Sequence, residues 1–160
     1  MHDFKSILEE DRNEQLVQEQ EKEKRSCNFI IHGLEEKGEN AEENDAVMVE
    51  LFLQKINADV KPAKFYRLGK STSNKNRPLK VEMGSNFERD AVMYNLKHLK
   101  GTEEELGKLS IKEDLTRSER EQVKKFVNIA KERNASDTSH HWVVRGSPKN
   151  GLRLLKLAKK

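Results

Sequence analysis

The chain has 160 residues, of which 37% are charged and 34% are hydrophobic, so it suits one domain or two small ones with a modest core. No apolar run approaches the ~18 residues of a membrane-spanning helix, and the first residues lack the apolar core of a signal peptide. The single cysteine, Cys27, excludes an internal disulfide framework and agrees with a reducing compartment. We therefore expect neither a membrane protein nor a secreted, disulfide-stabilised one.

The formal net charge of +3 conceals two oppositely charged parts of the chain. Residues 1–60 carry 7 Lys and Arg against 16 Asp and Glu, whereas residues 61–160 carry 24 against 12. This segregation favours a polyanionic partner for residues 61–160. Charge alone leaves nucleic acid and anionic lipid both open.

Residues 4–25 are predicted to form one helix, because Glu, Gln, Lys and Arg dominate and no Gly or Pro interrupts them. The few apolar residues do not complete clean heptads. A single polar helix has no face to bury, so this segment either frays or protrudes, or it is the end of a coiled coil. The pattern leaves both alternatives open.

Hydrophobic periodicity across residues 28–114 predicts the order β-α-β-β-α-β, the split-βαβ, ferredoxin-like pattern of RNA-recognition motifs. In that pattern two helices cover one face of a four-stranded antiparallel sheet, and the open face binds RNA. The predicted strands are residues 29–34, 64–68, 79–83 and 109–111. The predicted inner residues of the two helices are Val47, Met48, Leu51, Phe52 and Ile56, then Phe87, Ala91, Tyr94, Leu96 and Leu99.

After Leu115 the pattern predicts a helix to about Arg133 and a hairpin with strands at 142–145 and 152–157. A helix and a hairpin are too little to be stable alone, so we expect them to dock on the preceding domain and leave a basic groove. The predicted class is α+β, with a helix or coiled-coil end at 1–26, a recognition-motif-like domain at 27–114 and a C-terminal nucleic-acid-binding domain at 115–160. The predicted helix-capping pairs are Asn40 with Glu43, Ser85 with Glu88 and Thr116 with Glu119.

The predicted binding surface is cationic rather than aromatic. Recognition motifs stack bases on aromatic residues of the first and third strands, but Ile30, Pro78 and Lys80 occupy those positions here. Tyr66 and Trp142 are among the few rings that could stack. Several Lys and Arg along one groove can follow a phosphate backbone irrespective of base. The candidate nucleic-acid-binding residues are Lys24, Arg25, Arg67, Lys70, Lys75, Arg77, Lys80, Arg117, Arg120, Lys124, Trp142, Arg145, Lys149 and Arg153.

Templates for catalysis and metal binding do not fit the sequence. The histidines and the one cysteine lack zinc-ligand spacing, the glycines lack phosphate-loop spacing, and no Gly-x-Ser-x-Gly turn occurs. We therefore expect no enzymatic activity, no catalytic residue, no metal, no cofactor and no small-molecule substrate.

Three stretches resemble the first-open-reading-frame proteins of LINE-type non-LTR retrotransposons. They are RSCNFIIHGLEE at 25–36, FYRLGK at 65–70 and RPLKV at 77–81, and a Leu115-Thr116 pair precedes a basic helix in the same order. The likeness covers nearly the whole chain: a coiled-coil end, a recognition-motif domain without its aromatics and a small C-terminal domain.

This resemblance implies a homotrimer held by the coiled coil, sequence-nonspecific binding of single-stranded RNA and DNA, and nucleic-acid chaperone activity. It also implies packaging of retrotransposon RNA into a ribonucleoprotein in the cytoplasm or also in the nucleus, without a membrane partner. The family's contact positions match Lys24, Arg25 and Arg67, and more loosely Trp142 and Arg145. The sequence does not separate an active element from a domesticated relative that packages host RNA, so this alternative stays open. The alternative from another class is a protein-interaction or assembly module on the same fold, without RNA binding.

Overall fold

The computed structural model describes residues 4–38, 40–71, 75–99 and 105–159. The chain is a mixed α+β protein with antiparallel sheets, which confirms the predicted class. It divides into two compact units, Met1–Asp114 and Leu115–Lys160. The elements are α1 (Phe4–Ser26), β1 (Asn28–His32), α2 (Ala41–Lys55), β2 (Pro62–Arg67), β3 (Leu79–Met83), α3 (Asn86–Asn95), 3-10 turns at Leu96–Leu99 and Glu105–Lys108, β4 (Ser110–Glu113), α4 (Arg117–Ser136), β5 (His140–Arg145) and β6 (Arg153–Ala158).

The N-terminal helix is confirmed and extends to Ser26. Its apolar side chains Ile7, Leu8, Leu16 and Val17 are all exposed, and no described residue of α1 belongs to the hydrophobic core. In a single chain, α1 is therefore stabilised by its helix-prone composition rather than by a buried face.

The first unit contains a four-stranded antiparallel sheet with the strand order β2-β3-β1-β4. Phe29 and Ile31 of β1 pair with Val81 and Leu79 of β3, and all four side chains are buried. Because side chains alternate between the two faces of a strand, these residues define the core face of the sheet. The alternate residues, such as Lys80, define a second face that we call the outer face.

The core face is covered in part by α2, although its inward side differs from the predicted one. Val49, Phe52 and Leu53 are buried, as predicted for Phe52. The prediction was wrong for Val47 and Leu51, which are 57% and 46% exposed. Residues 47–53 form a nearly continuous apolar run, so spacing alone is compatible with more than one helix face.

The predicted inner side of α3 is wrong for its two aromatic residues. Phe87 and Tyr94 are 82% and 72% exposed, whereas Arg89 is buried. Leu96 and Leu99, in the turn that follows, pack against the core as predicted. The predicted apolar side of α3 differs from the observed one because Arg89, which is not among the predicted inner residues, occupies a buried position.

Two of the three predicted helix caps are confirmed. The Ser85 hydroxyl accepts a hydrogen bond from the Glu88 backbone N–H at 3.2 Å. Thr116 and Glu119 form a complete capping box at the start of α4, with bonds of 3.2 and 2.9 Å. Asn40 is the N-cap residue of α2 as predicted, but the predicted capping box with Glu43 is wrong, because the Asn40 side chain makes no capping hydrogen bond.

The second unit consists of α4 and an antiparallel β5–β6 hairpin. Ala130 is buried between them, and the Asn134 amide both donates to and accepts from the Trp142 backbone, at 2.8 and 2.6 Å. The hairpin turn brings Gly146, at φ +85°, so close to Gly151 that a Cβ on Gly146 would lie 2.1 Å from the Gly151 carbonyl oxygen. Glycine is therefore required at this turn.

Candidate nucleic-acid interface

Two of the predicted contact residues in the first unit converge on one carboxylate. Arg25 Nη1 and Lys80 Nζ lie 2.9 and 3.1 Å from Asp114, and the Asn28 amide donates to it at 3.0 Å. Burial disfavours the charged carboxyl, but these three donors outweigh it and lower the pKa of Asp114. The two cations are thus present on the outer face, but one negative charge already partly neutralises them.

Arg67 does not present its charge to solvent. Its side chain is only 6% exposed and forms an ion pair with Asp45, which is equally buried. The guanidinium also donates to the backbone carbonyls of Leu34 and Arg77. Because every one of these contacts is internal, we leave Arg67 out of the proposed interface and assign it a structural role.

The remaining predicted cations of the first unit are of two kinds. Arg77 pairs with Glu36, and this hydrogen bond lowers the pKa of the carboxyl despite opposing desolvation. Lys24, Lys70 and Lys75 are exposed and make no ion pair with another residue that the structure describes. These three lysines are the first unit's uncompensated members of the candidate set.

Sequence reasoning missed two further lysines beside the outer face. Lys64 of β2 has its ammonium 5.1 Å from the centre of the Tyr66 ring, and Lys112 of β4 pairs with Ile30 of β1. Both side chains are exposed. The signal that could have found them is the period of two along each strand, counted from Tyr66 and from Asp114.

The second unit concentrates positive charge. Residues 115–160 contain 12 Lys and Arg against 4 Asp and Glu, a net charge of +8. Arg117, Arg120 and Lys124 are all exposed on α4, at a spacing that places them on one side of the helix. Arg117 forms an ion pair with Glu121 at 3.2 Å, so the positive charge of these three side chains is partly neutralised.

Two arginines face each other across the end of the hairpin. Arg145 of β5 and Arg153 of β6 are register partners, and both side chains are exposed. Neither forms an ion pair with a carboxylate of the described residues. Lys149 lies in the turn that joins the two strands. Since like charges directly opposite each other destabilise a β-ladder, this end of the hairpin is a site where an anion would relieve repulsion.

Trp142 is held mainly by contacts within its own unit. Its indole N–H donates to Asp137 at 3.2 Å. The Arg133 guanidinium and the Lys156 ammonium lie 4.4 and 5.6 Å from the ring centre. Trp142 is half-buried, so these contacts cover only part of the residue.

Within the described residues, no three His, Cys, Asp or Glu side chains are grouped so that they could hold a metal ion. No described helix is long and apolar enough to cross a membrane. A surface cavity of about 420 Å³ lies in the first unit, with Leu34, Met48, Asn76 and Lys108 among its lining residues.

Comparison of the chain with models of known protein families and with curated proteins finds no match.

Proposed function

We propose that this protein binds single-stranded RNA and DNA through their phosphates, with little sequence preference. The observation that carries the proposal is the Arg145–Arg153 pair at the end of a hairpin, which forms no ion pair with a carboxylate in the part of the chain that the structure describes and lies in a unit of net charge +8. Two guanidinium groups held opposite each other cost stability, and each is suited to bidentate contact with a phosphate. A backbone-directed surface of this kind does not read base sequence.

In this proposal the first unit is a recognition-motif-like domain that supplies a second, weaker cationic surface. Its element order and its antiparallel strand order, β2-β3-β1-β4, support this assignment. The order β-α-β-β-α-β is that of ferredoxin-like domains. Lys24, Lys70 and Lys75 are the exposed cations that this unit contributes from the set predicted by the sequence. The resemblance to retrotransposon first-open-reading-frame proteins extends the proposal to chaperone activity and to packaging of the element's RNA in a ribonucleoprotein.

Self-association through α1 is part of the same proposal. The exposed apolar residues Ile7, Leu8, Leu16 and Val17 have no partner surface among the described residues of one chain, and burial between helices would stabilise them. Linking several weak nucleic-acid sites raises their effective concentration, so an oligomer would bind a long strand far more tightly than one chain.

A salt titration of the full chain with single-stranded RNA tests the proposal. Log affinity is expected to fall linearly with log salt, with a slope of about −0.7 for each phosphate contact. The double variant Arg145→Gln/Arg153→Gln is expected to lose affinity and to make the slope shallower. The matched control Lys55→Gln/Lys61→Gln removes the same charge from exposed positions outside the candidate set and outside α1, and is expected to behave as wild type. A salt-independent affinity, or equal losses in both variants, would contradict the proposal.

The alternative function, a protein-interaction module, has one observation in its favour. Phe87 and Tyr94 lie seven residues apart on α3 and are both largely exposed, and seven residues bring side chains to the same helix face. If this function is the correct one, Phe87→Ser/Tyr94→Ser abolishes recovery of a protein partner, and the wild-type chain does not shift single-stranded RNA in a gel. An RNA shift that the substitutions leave unchanged favours nucleic-acid binding.

A further inference from the structure

Tyr66 occupies an unusual position on the outer face of the sheet. It lies on β2 directly opposite Lys80 of β3, and it is 36% exposed. Its hydroxyl donates a hydrogen bond to Glu82 at 2.9 Å. The ammonium groups of Lys64 and Lys80 lie 5.1 and 5.8 Å from the centre of its ring.

Packing in the hydrophobic core does not explain why an aromatic ring stands at position 66. The neighbouring Phe65 points to the opposite face and packs against the hydrophobic core, whereas Tyr66 is on the outer face and is not part of that cluster. An aromatic ring on an open sheet face leaves apolar area in water. The hydrogen bond to Glu82 fixes the ring's orientation without covering it, so the ring is ordered yet accessible.

The outer face on which Tyr66 lies carries more lysines than carboxylates among its described residues, with Lys112 on the opposite edge strand, β4. Lys64, Lys80 and Lys112 share the outer face with Glu82 and Asp114. Desolvation of Lys80 opposes its charge, but the hydrogen bond to Asp114 raises the pKa of Lys80, so it stays protonated. A lysine above an exposed ring contributes only about 0.5–1 kcal/mol, and Lys64 can therefore leave the ring for a phosphate oxygen.

We propose that Tyr66 stacks on a base of the bound single strand, while Lys64 contacts a phosphate that flanks it. This inference rests on the proposed function, and it adds that the bases contribute to affinity as well as the phosphates. Base–aromatic stacking tolerates every base because each has a π-face, so the contact is compatible with binding that ignores sequence. The ring replaces, from β2, the aromatic residues that β1 and β3 lack on their outer face.

The experiment compares two probes of equal length, oligothymidylate and an oligomer of abasic deoxyribose phosphates. The wild-type chain is expected to bind oligothymidylate more tightly, and Tyr66→Leu is expected to lose about 5- to 150-fold of that affinity with little effect on the abasic probe. Tyr66→Phe keeps the ring and is expected to retain the preference. Tyr94→Leu is the matched control, because Tyr94 is also exposed and has the Lys97 ammonium 3.9 Å from its ring centre.

Photo-cross-linking gives a second measurement that needs no variant. A 5-iodouridine oligomer irradiated with the wild-type chain is expected to label Tyr66 in preference to Tyr94. Equal wild-type affinity for the two probes, or labelling of Tyr94 alone, overturns the stacking proposal and leaves phosphate binding intact. Failure of the wild-type chain to bind either probe overturns both.

Discussion

Arg67 and Asp45 form a buried ion pair that ties the end of β2 to α2. Each side chain is 6% exposed, and Arg67 Nε donates to Asp45 at 2.8 Å. Removing one partner of such a pair leaves an uncompensated buried charge, which costs about 3–5 kcal/mol. We expect Arg67→Ala to lower the free energy of unfolding by that amount, measured by urea denaturation of the full chain.

The double variant Arg67→Met/Asp45→Leu separates the charge penalty from packing. It removes both charges at once, so it is expected to be more stable than Arg67→Ala. If instead Arg67→Ala leaves the urea midpoint unchanged and weakens RNA binding as strongly as the Arg145→Gln/Arg153→Gln variant, then Arg67 belongs to the interface after all.

Sequence reasoning predicted what depends on local pattern and missed what depends on a distant partner. The alternation of Leu79, Val81 and Met83 with Lys80 and Glu82 fixed the two faces of β3, because a strand has only two sides. The same reasoning gave the caps at Ser85 and Thr116, whose partners lie three residues away. The structure confirms these features. They could be predicted because both members of each pattern lie within a few residues of each other.

Buried arginines account for the exposure errors at Arg67 and on α3. Arg89 donates to the Ser26 carbonyl at 2.8 Å and to Glu113 at 3.1 Å, and Arg67 finds Asp45 across 22 positions of sequence. Arg67 was predicted to contact nucleic acid and Arg89 was not among the predicted inner residues of α3, since arginine is almost never buried unpaired. The sequence offers no local sign of these partners, so the exposure of an arginine follows only from the tertiary structure.

Arg153→Thr is expected to affect binding and stability in opposite directions. Removing Arg153 relieves its repulsion with Arg145, and threonine suits a strand, so the free energy of unfolding is expected to rise by about 0.2–1 kcal/mol. The salt slope for single-stranded RNA is expected to become shallower by about 0.7. Lys156→Thr is the control on the same strand: Lys156 contacts the Trp142 ring and lies 3.8 Å from Asp137, so its loss should not stabilise the hairpin.

Gly146→Ala and Gly151→Ala form a matched pair at the hairpin turn. Both glycines have φ +85°, but only at Gly146 does a Cβ meet the opposing backbone, 2.1 Å from the Gly151 carbonyl oxygen. Gly151→Ala is expected to cost about 1–2 kcal/mol through its backbone conformation alone, and Gly146→Ala distinctly more. Thermal unfolding followed by the fluorescence of Trp142, the one tryptophan of the chain, measures both, and equal costs would show that the contact relaxes freely.

Asp114→Asn is expected to strengthen RNA binding while it weakens the fold. The substitution removes the charge that Arg25 and Lys80 share, at 2.9 and 3.1 Å, and leaves both cations available to phosphate. The salt slope should steepen by about 0.7 for each cation that then contacts RNA. Urea denaturation should show reduced stability, because a nearly buried carboxylate with three donors is lost. An unchanged slope would mean that neither cation lies along the bound strand.

Asp137 gives the second unit an acid-sensitive contact. Burial opposes ionisation of the Asp137 carboxyl. Hydrogen bonds from the Trp142 indole and from the backbone N–H groups of Ser139 and His140 outweigh this effect. They lower the pKa of Asp137 to about 2, from an ordinary value of 3.8. A carboxyl whose pKa is lower in the folded state than in the unfolded state stabilises the fold fully at pH values above its unfolded-state pKa. This contribution is lost as the pH falls toward its folded-state pKa. The difference in urea midpoint between wild type and Asp137→Asn is therefore expected to be constant above about pH 5 and to shrink between about pH 4 and pH 2.

Glu132→Gln serves as the control, because Glu132 is an exposed carboxylate on α4. A difference for Asp137→Asn that does not change across that range would mean that its hydrogen bonds do not depend on the charge of the carboxylate.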